Sequence, residues 1–280
     1  MSSFKFPSIK DYYHGRPMID ENLFVYEKVD GSNVSLRNSG YKIQLWSRGG
    51  QIKKTKYYFD EFRKFVYNQL YASLLALPEE LVIFGEFVHK GYGHIPYDSK
   101  FVDKMLTIGI YNEEESRFLH PEERDEWLDL LGVSKIIPQV PLKSRGKINQ
   151  RLLEGIIEKS DLYEGPPEGV IIHSYSPGYP NGVKLLKHYH PEFCEVDPSK
   201  KGVNKYLTRK RFVKAGQRIL EGGITLDFEG LVHLTSVDVS DEMNSNSRDV
   251  VSPDKIRERI LEDYPDKVNS VLEKLKKEKK

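Results

Sequence analysis

Glu27-Lys28-Val29-Asp30-Gly31-Ser32-Asn33 is the stretch on which the reading of this chain turns. A lysine leaves a β-rich run, Leu23 to Val29, and enters a tight polar turn. A lysine attacks phosphorus only as the neutral amine, and its reference pKa near ~10.4 leaves it protonated at neutral pH. Burial beside other cations, or a bound metal, lowers that value, so a depressed Lys28 is expected. Gly31 lets the backbone approach a ligand closely. Taken by itself, the same stretch also reads as a surface hairpin turn with an Asp-Gly signal.

Other segments give the lysine company. Ser47-Arg48-Gly49-Gly50 follows, and Phe84-Gly85-Glu86-Phe87 ends an apolar strand in a carboxylate. Glu168-Gly169-Val170-Ile171-Ile172 opens another strand with a carboxylate, and Val183-Lys184-Leu185-Leu186-Lys187 adds two lysines. A carboxylate at the inner end of an apolar strand is costly unless it is paired, and buried acids concentrate at functional sites. A nucleophilic lysine, an arginine, two acids and two further lysines suit nucleotidyl transfer. The cations hold a triphosphate, the acids hold Mg²⁺ and ribose hydroxyls, and the lysine displaces pyrophosphate.

In order and content these segments resemble the covalent nucleotidyltransferase superfamily of ATP-dependent ligases and mRNA capping enzymes. Lys28 to Asn33 matches motif I, K-x-D/H-G-x-x. The segment around Arg48 is similar to motif Ia, Phe84 to Phe87 to motif III, Glu168 to Ile171 to motif IV, and Val183 to Lys187 to motif V. Asn33, closing K-x-D-G-S-N, resembles the RNA ligase branch, especially phage-type RNA ligase 2 and its relatives. The resemblance covers about residues 20 to 190.

That resemblance implies an ATP-dependent RNA ligase joining 5′-phosphate and 3′-hydroxyl RNA ends, with ATP and Mg²⁺ (or Mn²⁺) as cofactors. Lys28 is then the nucleophile that carries AMP. Glu27, Asp30, Asn33, Arg48, Glu86, Glu168, Lys184 and Lys187 are the expected nucleotide contacts, Glu27 through its backbone. Glu86 and Glu168 are the expected metal ligands, and Asn33 is expected to matter more for strand sealing than for self-adenylylation. The family's motif V has K-x-K, which puts both lysines on one face of a strand. Here the spacing is K-x-x-K, so Lys184 and Lys187 face opposite sides unless a bulge intervenes, and Lys184 is the expected phosphate ligand. Leu106-Thr-Ile-Gly-Ile110 stands where the family carries a base-stacking aromatic and supplies none. A DNA ligase and a GTP-using capping enzyme share these motifs. The R-x-D-K element that those branches carry has its nearest counterpart in Ser252-Pro-Asp-Lys255, which lacks the arginine. A nucleic-acid binding protein without catalysis is the alternative of a different class.

Around the motifs, strands without regular intervening helices predict an α+β fold built on antiparallel sheet. Tyr41 to Trp46 reads as a strand, with Asn38, Ser39 and Gly40 as the turn before it. Phe59, Phe62, Val66, Leu70 and Leu74 recur at helical spacing, with Pro78 just beyond. Leu81 to Val88, Met105 to Tyr111, Gly169 to His173 and Gly182 to Leu186 read as strands. Pro121 to Leu131 and Asn149 to Lys159 read as helices. An adenylylation domain over 1–192 and a smaller, mostly helical domain over 193–280 follow from the shift in composition near Pro191. In the second domain Asn204 to Leu220 is expected to be helical up to Gly222-Gly223, and Ser252-Pro253 to open another helix that Pro265 breaks or restarts.

The net charge is +1, from 43 basic and 42 acidic residues, so affinity for nucleic acid has to come from segregated charge. Between Lys200 and Leu220 there are eight basic residues and no acid. Lys205, Arg209, Lys210, Arg211 and Lys214 are the candidate RNA contacts in that stretch, with Tyr206 and Phe212 interleaved. No P-loop, dinucleotide fingerprint or G-x-S-x-G elbow is present. One cysteine, Cys194, excludes an internal disulfide, and with His188 and His190 it makes only three candidate zinc ligands. No signal-peptide core and no apolar run of membrane-spanning length appear, and a reducing, cytoplasmic setting is the expectation.

Overall fold

The structure is a computed structural model that describes residues 6–7, 9–12, 22–40, 42–48, 50–52, 59–90, 95–193, 202–221, 225–246 and 251–278. Tyr13, Gly49, Cys194, Lys200, Lys201 and the Gly222-Gly223 helix end lie outside these residues. The chain divides into two compact units, Met1–His190 and Pro191–Lys280.

The first unit is built on two sheets. One contains β1 (Lys10–Asp11), β2 (Leu23–Glu27), β9 (Leu142–Gly146), β10 (Gly169–Tyr175) and β11 (Val183–Tyr189), in the order β1-β11-β10-β2-β9. The other contains β3 (Ser32–Ser39), β4 (Lys42–Ser47), β5 (Gly50–Gln51), β6 (Leu81–Val88), β7 (Lys104–Asn112) and β8 (Arg117–Phe118), in the order β5-β4-β3-β6-β7-β8. Every pairing among the described strands is antiparallel except the two-residue β1 against β11. The α+β, antiparallel-sheet expectation holds.

The turn before Tyr41 differs from the sequence expectation. Asn38 and Ser39 are strand residues of β3, and the chain turns only from Gly40, at φ 68°. Asn38 is buried because it serves a helix end: its amide donates to the Leu75 and Leu77 carbonyls at 3.1 and 2.9 Å. The run at Leu23 and the strand Lys42–Ser47 also fall in different sheets, with β3 between them in sequence.

Helices cover the outer face of each sheet. Over the six-stranded sheet lie α1 (Asp60–Phe65), a π-helical turn (Val66–Leu70) and α2 (Tyr71–Leu74). They set Phe62, Phe65, Val66, Leu70 and Leu74 against Val34, Leu36, Leu45, Ile83, Phe87 and Met105. A second helix, α3 (Pro121–Leu130), starts at a His120–Glu123 capping box and closes at Gly132, φ 67°. Over the five-stranded sheet, α4 (Gln150–Ile156) is capped by Asn149, and Leu153 and Ile157 pack on Leu23, Val25, Val170, Ile172 and Leu186. The inner faces meet where Val82, Phe84, Tyr111 and Phe118 pack on Val183 and Leu185.

A bulge lies beside the future site. Between Phe84 and Gly85 the β6–β7 register shifts, leaving Ile108 as the extra residue of β7. A Cβ on Gly85 would lie 2.4 Å from the Met105 methyl and 2.6 Å from the Leu106 carbonyl, so only glycine fits there. Beyond the bulge, the edge of β7 is covered: Thr107 N donates to Pro138 O, and Val140 N to Thr107 O. The same segment continues into β9, so it ties one sheet to the other.

The second unit is helical. It contains α5 (Arg209–Glu221), α6 (Phe228–Asn246), α7 (Pro253–Asp263) and α8 (Pro265–Glu278) around Phe212, Leu231, Val239, Ile256, Ile260, Val271 and Leu275. Ser252 caps α7 through Lys255 N, and Pro265 starts a new helix. Helix α6 has no counterpart in the sequence reading. Its Val, Thr, Ser and Asp residues are mediocre helix formers, and its buried stripe, Leu231, Val232, Thr235, Ser236, Val239 and Ser240, is half polar, so no apolar periodicity marks it. No helix among the described residues is long and apolar enough to cross a membrane.

Candidate active site

Strand β2 delivers the lysine. One further ladder bond, Lys28 N to Gly169 O at 2.8 Å, holds the backbone after Glu27. Side chains alternate here, so Glu27 and Lys28 part company. The Glu27 carboxylate is buried and accepts from the Ser160 hydroxyl and from Asp161 N at 2.9 Å, with Lys143 Nζ at 3.6 Å. It anchors the 160–161 loop and is not turned towards the lysine.

Lys28 Nζ instead donates to Glu168 Oε2 at 2.5 Å, and it lies over the Tyr189 ring, 5.4 Å from the centroid. Burial pulls the Lys28 pKa down, but Glu168, Tyr189 and Glu86 outweigh it, and the net displacement is upward. The expected depressed lysine is therefore absent in the ligand-free protein. Two carboxylates, Glu168 and Glu86, act on this ammonium, where the sequence reading placed cations.

Glu168 is buried, and the residue after it explains how. A Cβ on Gly169 would stand 2.2 Å from the His188 carbonyl, so β10 and β11 close up only because position 169 is glycine. Gly31 does the same on the other sheet. A Cβ there would meet Phe87 O at 2.6 Å and Glu86 Cγ at 2.9 Å. Its close approach is thus to β6, bringing motif I up to Glu86.

Asn33 and Glu86 are paired in register on β3 and β6, and the Asn33 side chain hydrogen-bonds the Glu86 carboxylate. Burial, together with Glu168 and Asp30, pushes the Glu86 carboxyl up to about 7 against the opposing pull of Lys28 and Asn33. The Asp30 amide donates to Tyr97 Oη at 2.7 Å, which pins the turn after the lysine. Arg48 sits exposed in the turn after β4; Ser47 pairs with Val34, so Arg48 is one step on, level with Asn33.

The two lysines of β11 separate. Its register against β10 runs without a shift from Gly169–Tyr189 to Tyr175–Val183, so no bulge restores convergence. Lys187 shares the inner face with Val183, Leu185 and Tyr189, and its Nζ donates to Tyr189 Oη at 3.2 Å. Lys184 shares the outer face with Leu186, which packs on α4. Lys187, not the preferred Lys184, is the lysine beside Lys28.

The candidate RNA contacts also divide. Arg211 is buried and bound to two acids of α6, Asp238 at 2.7 Å and Glu242 at 2.5 Å. Lys210 is buried as well. The acid-free window misled here, because the balancing acids come from another helix. Arg209 is exposed, and Lys205 and Lys214 are half-buried.

A family model described as RNA ligase matches residues 21–188. The chain belongs to the RNA ligase family. Its fold is that of solved RNA ligases: a mutant of the Naegleria gruberi RNA ligase, solved with ATP and Mn, superposes with TM-score 0.50 at 17% identity, covering 62% of this chain and 51% of that one. A second mutant of that ligase, also with ATP and Mn, gives 0.49 at 17% identity over 60% and 50% of the two chains. This RNA ligase family member therefore spans about half the length of those ligases. No curated protein matches the sequence.

Two site residues of this family member were not found by sequence reasoning. Tyr189 could have been, since it stands two residues beyond Lys187 and so shares its face. Tyr97 had no local signal, because its partner is a backbone amide 67 residues away. The donor set suits a hard divalent cation. Glu86 and Glu168 are carboxylates; burial, then Glu168 and Asp30, raise the Glu86 carboxyl to about 7, and a cation beside it would offset that cost. No group of three or more close metal-ligating side chains occurs among the described residues.

Proposed function

We propose that this chain is an ATP-dependent RNA ligase that joins a 5′-phosphate to a 3′-hydroxyl. Lys28 Nζ first gives its ammonium proton to Glu168, its hydrogen-bond partner, and then attacks the α-phosphorus of ATP; the N–P bond forms and pyrophosphate leaves with the bonding electrons. An oxygen of the RNA 5′-phosphate then attacks the same phosphorus, releasing Lys28 and leaving AMP on the RNA end. Finally the 3′-hydroxyl attacks the 5′-phosphorus and AMP departs. The observation that carries this reading is the convergence of Lys28, Glu168, Glu86, Asn33 and Lys187 at the facing ends of two sheets.

Each residue has a task in this scheme. Glu168 holds the Lys28 amine in place. Lys187 and Arg48 take the phosphates, and Asn33 and Asp30 frame the nucleotide. Glu86 and Glu168 would hold Mg²⁺ or Mn²⁺, which neutralises phosphate charge during transfer. The similar Naegleria ligase was solved with ATP and Mn, in support of both assignments. Residues 1–192 form the adenylylation domain, and residues 193–280 grip RNA through Arg209, Lys205 and Lys214. If about four phosphates are neutralised, log affinity falls with log salt at a slope of roughly −3 on single strands.

Incubation with α-labelled ATP or GTP and Mg²⁺, followed by denaturing electrophoresis, tests the reading. The expected result is an acid-labile adduct from ATP, absent in Lys28→Ala, and sealing of nicked RNA in preference to nicked DNA. A GTP-only adduct moves the chain to the capping branch. Folded protein that forms no adduct with either nucleotide overturns the enzyme reading.

A further inference from the structure

Resting on that ligase reading, we propose that Tyr189 is a positioning residue that seats Lys28 and Lys187 together against one aromatic ring. Tyr189 is the last residue of β11, and it faces the same side as Lys187, two residues earlier. The Lys187 ammonium lies 4.9 Å from its ring centroid and donates to its hydroxyl at 3.2 Å. The Lys28 ammonium lies 5.4 Å from the same centroid.

Two ammonium groups in one half-buried site repel each other. A carboxylate relieves this for one of them, and Glu168 does so for Lys28. The electron-rich face of an aromatic ring attracts both without adding a charge. Its distinct value appears when Glu168 is engaged by a cation: the ring is then the contact that still fixes Lys28, and it keeps Lys187 within reach of the same phosphate.

The strand geometry makes the seat rigid. Tyr189 stands opposite Gly169 in the β10–β11 ladder, and a Cβ at 169 would lie 2.7 Å from the Tyr189 Cα. The glycine after Glu168 therefore lets the tyrosine backbone draw close to the strand that carries the acid. Acid, ring and lysine form a single constellation built from three adjacent strands, β2, β10 and β11.

The two halves of the side chain have separable roles. The hydroxyl serves Lys187, and the ring serves both lysines. Tyr189→Phe keeps the ring and removes the acceptor. It is expected to raise the ATP concentration needed for half-maximal adduct formation several-fold, with the maximal rate constant unchanged. Tyr189→Leu removes both, and the maximal rate constant is expected to fall roughly 5- to 30-fold, the range that loss of a cation–π contact spans.

The test combines single-turnover adduct kinetics with NMR of selectively labelled lysines, assigned through Lys28→Ala and Lys187→Ala. Ammonium groups over a ring place their ε-methylene signals in its upfield shielding zone. Those upfield shifts are expected in the wild type and in Tyr189→Phe, and lost in Tyr189→Leu with the rest of the spectrum retained. Wild-type protein without the shifts, or Tyr189→Leu reacting at the wild-type rate, overturns the proposal. Upfield shifts in a wild type that forms no adduct uphold the seat and remove the ligase reading, so the two fail separately.

Discussion

Lys28 Nζ donates to Glu168 Oε2 at 2.5 Å, joining positions 140 residues apart in the chain. The contact closes the end of β2 onto the start of β10, with Glu168 2% exposed. Removing either partner breaks a largely buried ion pair, which is the costly way to lose one. Lys28→Ala is the more severe case, since it leaves Glu168, Glu86 and Asp30 facing one another. Lys28→Ala and Glu168→Ala are each expected to destabilise the ligand-free protein, and the double variant to cost less than the sum. A coupling of about 2 kcal/mol is anticipated from urea unfolding of all four proteins. Additive losses would show that the pair contributes nothing to folding.

Glu86 gives the site a pH-dependent cost. Its folded pKa, about 7, stands above the ordinary 4.5. A carboxyl raised on folding contributes stability that is fully present below pH 4.5 and is lost as pH rises through about 7. Glu86→Gln, which mimics the protonated form, should therefore match the wild type near pH 4.5 and surpass it increasingly up to about pH 7. The gain should level off near 2 kcal/mol, a value discounted for the partial exposure of the group. Urea midpoints of both proteins at intervals from pH 5 to 8 check this, and a difference that is flat across the range contradicts it.

Lys187 and Lys184 mark the boundary of what could be read in advance. The Lys28 motif, Glu86 and Glu168 were legible because their chemistry is local: a lysine at a strand end beside a polar turn, and acids at the ends of apolar strands. Which lysine of β11 faces the site was not, because Leu185 and Leu186 are both buried and neither face is polar. Strand β3 was partly hidden for the converse reason. Ser35 and Asn38 are polar yet buried, and Asn38 reads as turn chemistry until its tertiary partners are seen. The face assignment makes a sharp prediction. Lys187→Ala should reduce ATP-dependent adduct formation at least ~10-fold, and Lys184→Ala should stay within about threefold of wild type. Rate constants measured across a range of ATP concentrations decide it, and the reverse ranking would return Lys184 to the phosphate role.

Arg211 and Arg209 separate stability from RNA affinity within one helix. Arg211 is 2% exposed, lies over the Tyr206 ring, and binds Asp238 and Glu242. Arg218 also reaches Asp238, so truncating Arg211 leaves that acid partly compensated and Glu242 without this ion pair. Arg211→Ala should therefore destabilise the helical unit by about 3 kcal/mol, the low end of the range for a broken buried pair. The salt slope of RNA binding should not change, because a buried arginine neutralises no phosphate. Exposed Arg209 is expected to behave in the opposite way. Arg209→Ala should leave thermal unfolding unchanged and reduce the slope of log affinity against log salt by about 0.7 on single strands, the share of one phosphate contact. Fluorescence anisotropy with a labelled single-stranded RNA at several salt concentrations, beside thermal unfolding of each variant, gives both quantities. A salt slope that drops with Arg211→Ala and not with Arg209→Ala would place the RNA on the buried side of α5 and undo this division.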